Sequence, residues 1–259
     1  MMLSNLESEV GTIGSERFIE EISIVVAAQD LTPTMMSQDF LKFSGIIPKE
    51  WELSQQPVLN PNYAQLNFAN GIAITAQPRT ITVNESLGDK NLSEIIAPQI
   101  AAKYIEKLPH ADYMGLSFSP KILVPFPEAP EKVRQYITGT LLGNGAWKEI
   151  GNAPMQAGLN LMYGLDRCQL SVSISEARMQ QPQQPTIFAI LFSGSFNYTL
   201  NSNESPAQKL QKLAQMLNYW HTDLQTFREL VENQFLNSSN SNGSDSSSYE
   251  DGVFPGQLL

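Results

Sequence analysis

By residue type, His221 is a candidate general base: it follows Trp220 and precedes Asp223 and Arg228 within a helical pattern. The same position also reads as the boundary of an apolar helix stripe, and this is the simpler reading. His110 lies in Pro109-His110-Ala111-Asp112, a helix-to-strand turn. Cys168 follows Asp166-Arg167 in a tight turn between two strand patterns. A cysteine nucleophile needs a neighbouring base, and the sequence places none there, so a structural thiol is expected. Two histidines and one cysteine give no metal-ligand spacing, and no Asp-rich loop suggests a hard-cation site. Gly143-Asn144-Gly145 lacks the Gly-Lys-Ser/Thr of a phosphate loop, and no Gly-x-Ser-x-Gly elbow occurs. Carboxylate pairs such as Glu20 and Glu21, or Glu128 and Glu131, serve glycoside chemistry only where a fold brings two together in a cleft. Their places at termini and helix starts have a plainer cause in the helix dipole. No catalytic, cofactor-binding or metal-binding residue is assigned.

Charge narrows the partners. The formal net charge is −10, and the 16 basic residues are scattered, with pairs such as Lys209 and Lys212 sharing a solvated helix face. Phosphate backbones and anionic bilayers both need clustered Lys and Arg, so neither nucleic acid nor a membrane surface is an expected partner. No run approaches the ~18 apolar residues of a membrane helix. The start, Met1-Met2-Leu3-Ser4-Asn5-Leu6-Glu7, has neither the basic n-region nor the apolar h-region of a signal peptide. A cytoplasmic location follows as the expectation.

The elements that would position any site alternate between strand and helix periods. Phe18–Gln29 is β-branched and apolar, a strand that ends before Pro33. Residues 30–63 read as irregular, with a short helix at Met36–Phe43. The set Met35, Met36, Phe40, Phe43 and Trp51 either lines a groove or packs the loop onto a sheet, the second being favoured. Gln65–Ala76 alternates as a strand and pairs with Thr80–Glu85. Ser93 is placed to cap a helix to about Leu108, with Ile96, Ile100, Tyr104 and Leu108 as its stripe. A strand over Tyr113–Val124 and a helix from Pro130 to about Leu142 come next. A three-strand meander then covers Ala157–Tyr163, Leu170–Ile174 and Phe188–Tyr198.

Ser205-Pro206-Ala207-Gln208 carries an N-cap, a proline at the first helical position and a capping box. Leu210, Leu213, Leu217, Trp220, Leu224, Phe227 and Val231 then continue a single stripe without a charged member. This spacing suits either a core helix or a coiled-coil homodimer, so a monomer and a homodimer both stay open. The expected fold is α+β: a mostly antiparallel sheet of six or seven strands with helices on one face. A single domain would span 17–236, with two loosely similar halves dividing near 125–130.

Residues 1–16 read as a polar arm, and 237–259 as a Ser- and Asn-rich tail. After the tether, Tyr249-Glu250-Asp251 leads into Val253, Phe254, Leu258 and Leu259. An inert tail needs no apolar residues; a recognition element does, so these five apolar and aromatic positions are the candidate protein-binding residues.

In order and spacing, Tyr104–Leu116, Phe188–Tyr198 and the helix Leu210–Phe235 resemble the pattern of a sporadically distributed bacterial family of uncharacterised α+β proteins, and the Gln- and Asn-rich composition is similar to that of cyanobacterial chains. The resemblance implies the fold and no activity, cofactor or site residue. The function expected from the sequence is non-enzymatic protein binding or an adaptor role. The alternatives are a carboxylate-based enzyme or a carrier of a small apolar ligand in a cleft on the sheet.

Overall fold

The computed structural model describes residues 19–126, 130–180 and 186–237. The expected arm at 1–16 and the candidate residues Tyr249, Val253, Phe254, Leu258 and Leu259 lie outside the described residues. In chain order the elements are β1 (Ile19–Ala28), α1 (Gln38–Phe43), β2 (Val58–Asn60), β3 (Tyr63–Asn67), β4 (Ile72–Gln77), β5 (Thr80–Ser86) and α2 (Ala97–Lys107). There follow β6 (Tyr113–Phe126), α3 (Pro130–Gln135), β7 (Leu159–Gly164), β8 (Gln169–Met179), β9 (Ile187–Thr199), α4 (Pro206–Asn218) and α5 (Trp220–Glu229).

Among the described residues the strands join one nine-stranded sheet in the order β2-β3-β4-β5-β1-β6-β9-β8-β7, and each neighbouring pair is antiparallel. The α+β class is as the sequence implies, but the strand count exceeds the expected six or seven. Two features account for this. The run Gln65–Ala76 is a hairpin, not one strand: Gly71 takes a φ of 85°, and the Asn70 side chain accepts the Ile72 N–H at 3.2 Å, turning the chain between β3 and β4. In addition, three exposed residues of the region read as irregular, Val58–Asn60, add β2 to the edge.

Topology divides the sheet about its centre. β1 and β6 lie side by side, and each begins a unit of strand, connection, meander and helix. β1 leads to β3, β4, β5 and α2; β6 leads to β7, β8, β9 and α4. The chain passes from one unit to the other between α2 and β6.

Period-two alternation sends Ile22, Ile24 and Val26 of β1 to the same face as Val83, Phe118, Phe192, Phe196 and Val172, all buried. That face carries the helices: α2 packs on β1 and β5, α3 on β6 and β9, and α4 and α5 on β6. The Met and aromatic loop also folds down, with Met36, Leu41, Ile46 and Ile47 buried and Trp51 set 5.3 Å from Phe68. The core reading of that loop therefore holds in part: Met36 is buried and Phe40 and Trp51 pack against the core, but Met35 and Phe43 are exposed. Among the described residues no helix is long and apolar enough to cross a membrane.

Two helix starts differ from expectation. Asn91, not Ser93, makes the capping box with Glu94, and it caps only a short 3₁₀ turn at Leu92–Glu94. The start of α2 is held from the sheet. Fully buried Glu85 of β5 accepts the N–H of Ile96 at 2.9 Å and of Ala97 at 2.7 Å, while Lys90 bonds its other oxygen at 2.8 Å. A carboxylate satisfies both the orphan N–H groups and the positive end of the helix.

The last helix is also not continuous. It breaks at Tyr219, whose N–H bonds Met216 O at 3.1 Å in a tight turn, and it ends in a π-helical turn at Leu230–Leu236. The stripe Leu213, Leu217, Trp220, Leu224, Phe227 and Val231 is buried within one chain. It is not free of charge, however, because Asp223 is fully buried on that side.

Contact between α5 and β9 depends on a missing side chain. A Cβ on Gly194 would lie 2.7 Å from the Phe227 ring. Gly194→Ala is expected to lower stability by about 1–3 kcal/mol through overpacking, measured by denaturant unfolding. Phe227→Leu in the same chain should recover part of that loss, because it removes the clashing ring edge.

Candidate functional site

Two places concentrate polar side chains: the sheet face without helices, and a buried cluster beneath α5. The first follows from alternation alone. When Ile24 and Phe118 point inward, Ser23, Val25, Ser117 and Ser119 must point outward. Cross-strand register then assembles rows. Asn84, Ser23 and Ser119 lie abreast on β5, β1 and β6, and Ser195 beside Ser171 on β9 and β8 continues the row. The next row runs Gln65, Thr75, Thr82, Val25, Ser117 and Asn197.

Hydrogen bonds order these side chains. The Ser23 hydroxyl donates to Asn84 Oδ1 at 2.7 Å, Ser117 to Asn197 Oδ1 at 2.8 Å, and Ser195 to the same Asn197 oxygen at 3.1 Å. Ser119 and Ser195 share a hydroxyl contact at 3.3 Å. Glu21 and Lys121 are the charged strand residues described on this face, and they pair with each other at 3.0 Å. The centre of the face is thus nearly neutral and rich in hydroxyl and amide groups, while Ile19, Leu123 and Leu191 form an apolar row towards one end and Met162 lies exposed on β7.

In the buried cluster, Arg167 in the β7–β8 turn donates from Nε at 2.9 Å and from a terminal nitrogen at 2.5 Å to Asp223 Oδ1. The Tyr198 hydroxyl of β9 donates to Asp223 Oδ2 at 2.6 Å. Tyr198 stacks on Tyr219 with ring centres 6.1 Å apart, and the Arg167 guanidinium lies 6.0 Å from the Phe196 ring and 5.8 Å from that of Tyr219. Burial pushes the Asp223 carboxyl above its ordinary range, against the pull of Tyr198 and Arg167. Burial likewise raises the Cys168 thiol, outweighing the opposing influence of nearby Tyr198 and Arg167. A raised thiol is a poor nucleophile, in line with the structural role read for it.

Both Asp223 oxygens are occupied, so the cluster acts as a brace joining β9, the β7–β8 turn and α5. Sequence reasoning passed over it. In the sequence Asp223 stands only as a neighbour of His221, and nothing in linear spacing links residues 167, 198 and 223. His221 itself is exposed and stacked on Trp220, and His110 is exposed at its turn.

The structure separates the carboxylate pair Glu20 and Glu21, as adjacent strand residues must be. Glu20 turns to the helix side and accepts Arg228 Nε at 3.0 Å, whereas Glu21 faces outward to Lys121. Glu131 is exposed, and Glu128 lies outside the described residues. Among the described residues no three His, Cys, Asp or Glu side chains stand close enough to hold a metal ion. No family model and no curated protein matches the chain.

The brace makes two predictions. Arg167→Leu leaves Asp223 buried and uncompensated, at a cost of about 3 kcal/mol in chemical denaturation; Arg167→Leu with Asp223→Leu should be milder than that single change. The second concerns pH. Because the folded carboxyl binds its proton more tightly than the unfolded one, Asp223 contributes stability that is full below the ordinary value near ~4 and is lost as pH rises through the raised one. Unfolding of wild type and Asp223→Asn across that window should show the wild-type advantage shrinking with rising pH. An advantage that grows would refute the sign.

Proposed function

We propose that this chain is a non-enzymatic binding or adaptor protein of the cytoplasm whose partner is another protein. The observation that supports it is the outward sheet face. Rows of Ser, Thr, Asn and Gln cross the strands from β3 to β8, and their one ion pair is neutralised internally. Such a surface is wide and rigid, so it suits a protein partner better than a small molecule, which needs concavity to be enclosed. It offers hydrogen bonds without the long-range charge attraction that a nucleic acid or anionic bilayer requires. Membership of the sporadically distributed bacterial family belongs to the same reading, on the stretches Tyr104–Leu116, Phe188–Tyr198 and Leu210–Phe235.

In this reading Tyr249, Val253, Phe254, Leu258 and Leu259 form a second, peptide-like contact carried on the Ser- and Asn-rich tether. Two variants separate the contributions. Ser117→Lys with Asn197→Lys places two unpaired charges at the centre of the face, and deletion of Tyr249–Leu259 removes the peptide. Proteins co-purifying with the full chain from native lysate should be lost in the face variant, at a temperature where it stays folded, and weakened by the deletion, which should leave the melting temperature unchanged. Capture unaffected by both changes would overturn the adaptor reading.

A further inference from the structure

The two ends of the sheet differ in how they meet further strands. An edge presents a row of unpaired N–H and C=O groups, and proteins blunt it with prolines, charges or very short strands. At one end β2 has 3 residues and stands between Pro57 and Pro61. At the other β7 has 6, Leu159-Asn160-Leu161-Met162-Tyr163-Gly164, with neither a charge nor a proline. The phase of the ladder divides its backbone groups. Leu165 N–H donates to Cys168 O at 2.9 Å, closing the hairpin, so the groups of Leu159, Leu161 and Tyr163 point to β8. Those of Asn160, Met162 and Gly164 point away from the sheet, and among the described residues no strand meets them.

The side chains of β7 are as incompletely covered as its backbone. Leu159, Leu161 and Tyr163 face the helix side in register with Ile174, Val172 and Leu170, yet they are half-buried where those β8 residues are buried. The helices of this half pack on β6 and β9, further in. On the opposite face Met162 is 67% exposed.

This edge is self-complementary. Antiparallel pairing of two β7 strands about a two-fold axis at Met162 sets Leu161 of each copy opposite Tyr163 of the other. Met162 then meets its own counterpart, and Asn160 lies opposite Gly164, where even a Cβ would find open space. The residues that face each other as hydrogen-bonded pairs are the very ones whose backbone groups point outward. A slip of one residue would leave those groups without partners. Each chain carries a net charge of −10, but β7 itself is neutral, so two copies meet here without like charges opposed across the seam.

We propose that β7 pairs with β7 of a second copy in this register, joining two sheets into one in a reversible dimer. The proposal stands independently of the adaptor reading. The contact is about 20 Å long and about 10 Å deep, roughly a few hundred Å² per copy against ~800 Å² in a standard interface, so the dimer is weak and concentration-dependent. Sedimentation of the full chain over about 1 μM to 1 mM tests it: the average mass should rise from 28.7 kDa toward twice that value. Raising salt from about 0.05 to 0.5 M should tighten association severalfold by screening repulsion between the acidic chains. Met162→Lys and Met162→Glu, at an exposed site, should each weaken it about tenfold with unchanged melting temperatures. An equimolar mixture of the two should recover it, because the axis sets the two side chains opposite each other. Hydrogen exchange at Asn160, Met162 and Gly164 should slow as concentration rises, a readout that needs no substitution. A monomer at every concentration, association indifferent to both substitutions, no recovery on mixing, or weakening by salt each overturns the proposal.

Discussion

The antiparallel ladder between β1 and β6, from Ile19↔Leu123 to Ala28↔Tyr113, is the pairing on which the rest of the structure depends. It joins two meanders that would otherwise be separate small sheets, and its register sets their inward faces side by side. Because side chains alternate with a period of two, one choice of register places Ile24 and Phe118 together under the helices and Ser23 and Ser119 together outside. A slip of one residue would bury the hydroxyl rows and expose the core, so the ladder is specified strongly by the hydrophobic pattern itself.

Helices are pinned to this sheet by a few charged side chains that have partners across it. Glu85 holds the start of α2, Glu20 holds Arg228 of α5, and Asp223 reaches down to Arg167 and Tyr198. Each pin joins a helix to the sheet, and those of Arg228 and Asp223 reach strands distant in sequence. A buried carboxylate is costly unless its oxygens are bonded, so these contacts restrict the helices to positions where the bonds can form. They select one arrangement among the many that the apolar stripes alone would allow.

One-sided burial has a chemical consequence on the other side. With the packed helices on one face, the centre of the opposite face keeps hydroxyl and amide groups that bond to one another along the rows. Internal bonds of this kind order the side chains and lower the entropy lost when a partner is met. Where β7 stops short of β8, the same sheet has backbone groups that no strand among the described residues meets. The molecule therefore presents two surfaces of different character, one of ordered side chains and one of open main chain.

Much of the secondary structure was legible in the sequence because alternation and helical spacing are local signals. β1, β5, β6, the last meander, the start of α4 at Ser205 and the apolar stripe through Phe227 all follow from residues close together in the chain. The two additional strands were obscured because the Asn70-Gly71 turn sits inside an unbroken alternation and Val58–Asn60 is too short to show a period. The cap of α2 and the burial of Asp223 were not readable, since each depends on a partner in another element. Glu85 meets Ile96 and Ala97 only once β5 lies under α2, and Asp223 finds Arg167 and Tyr198 only once α5 crosses the sheet. The sequence by itself determined which residues seek the core and which seek water. Tertiary structure decided which buried charges meet and which backbone edge stays open, because those outcomes rest on distances between strands that no local pattern encodes.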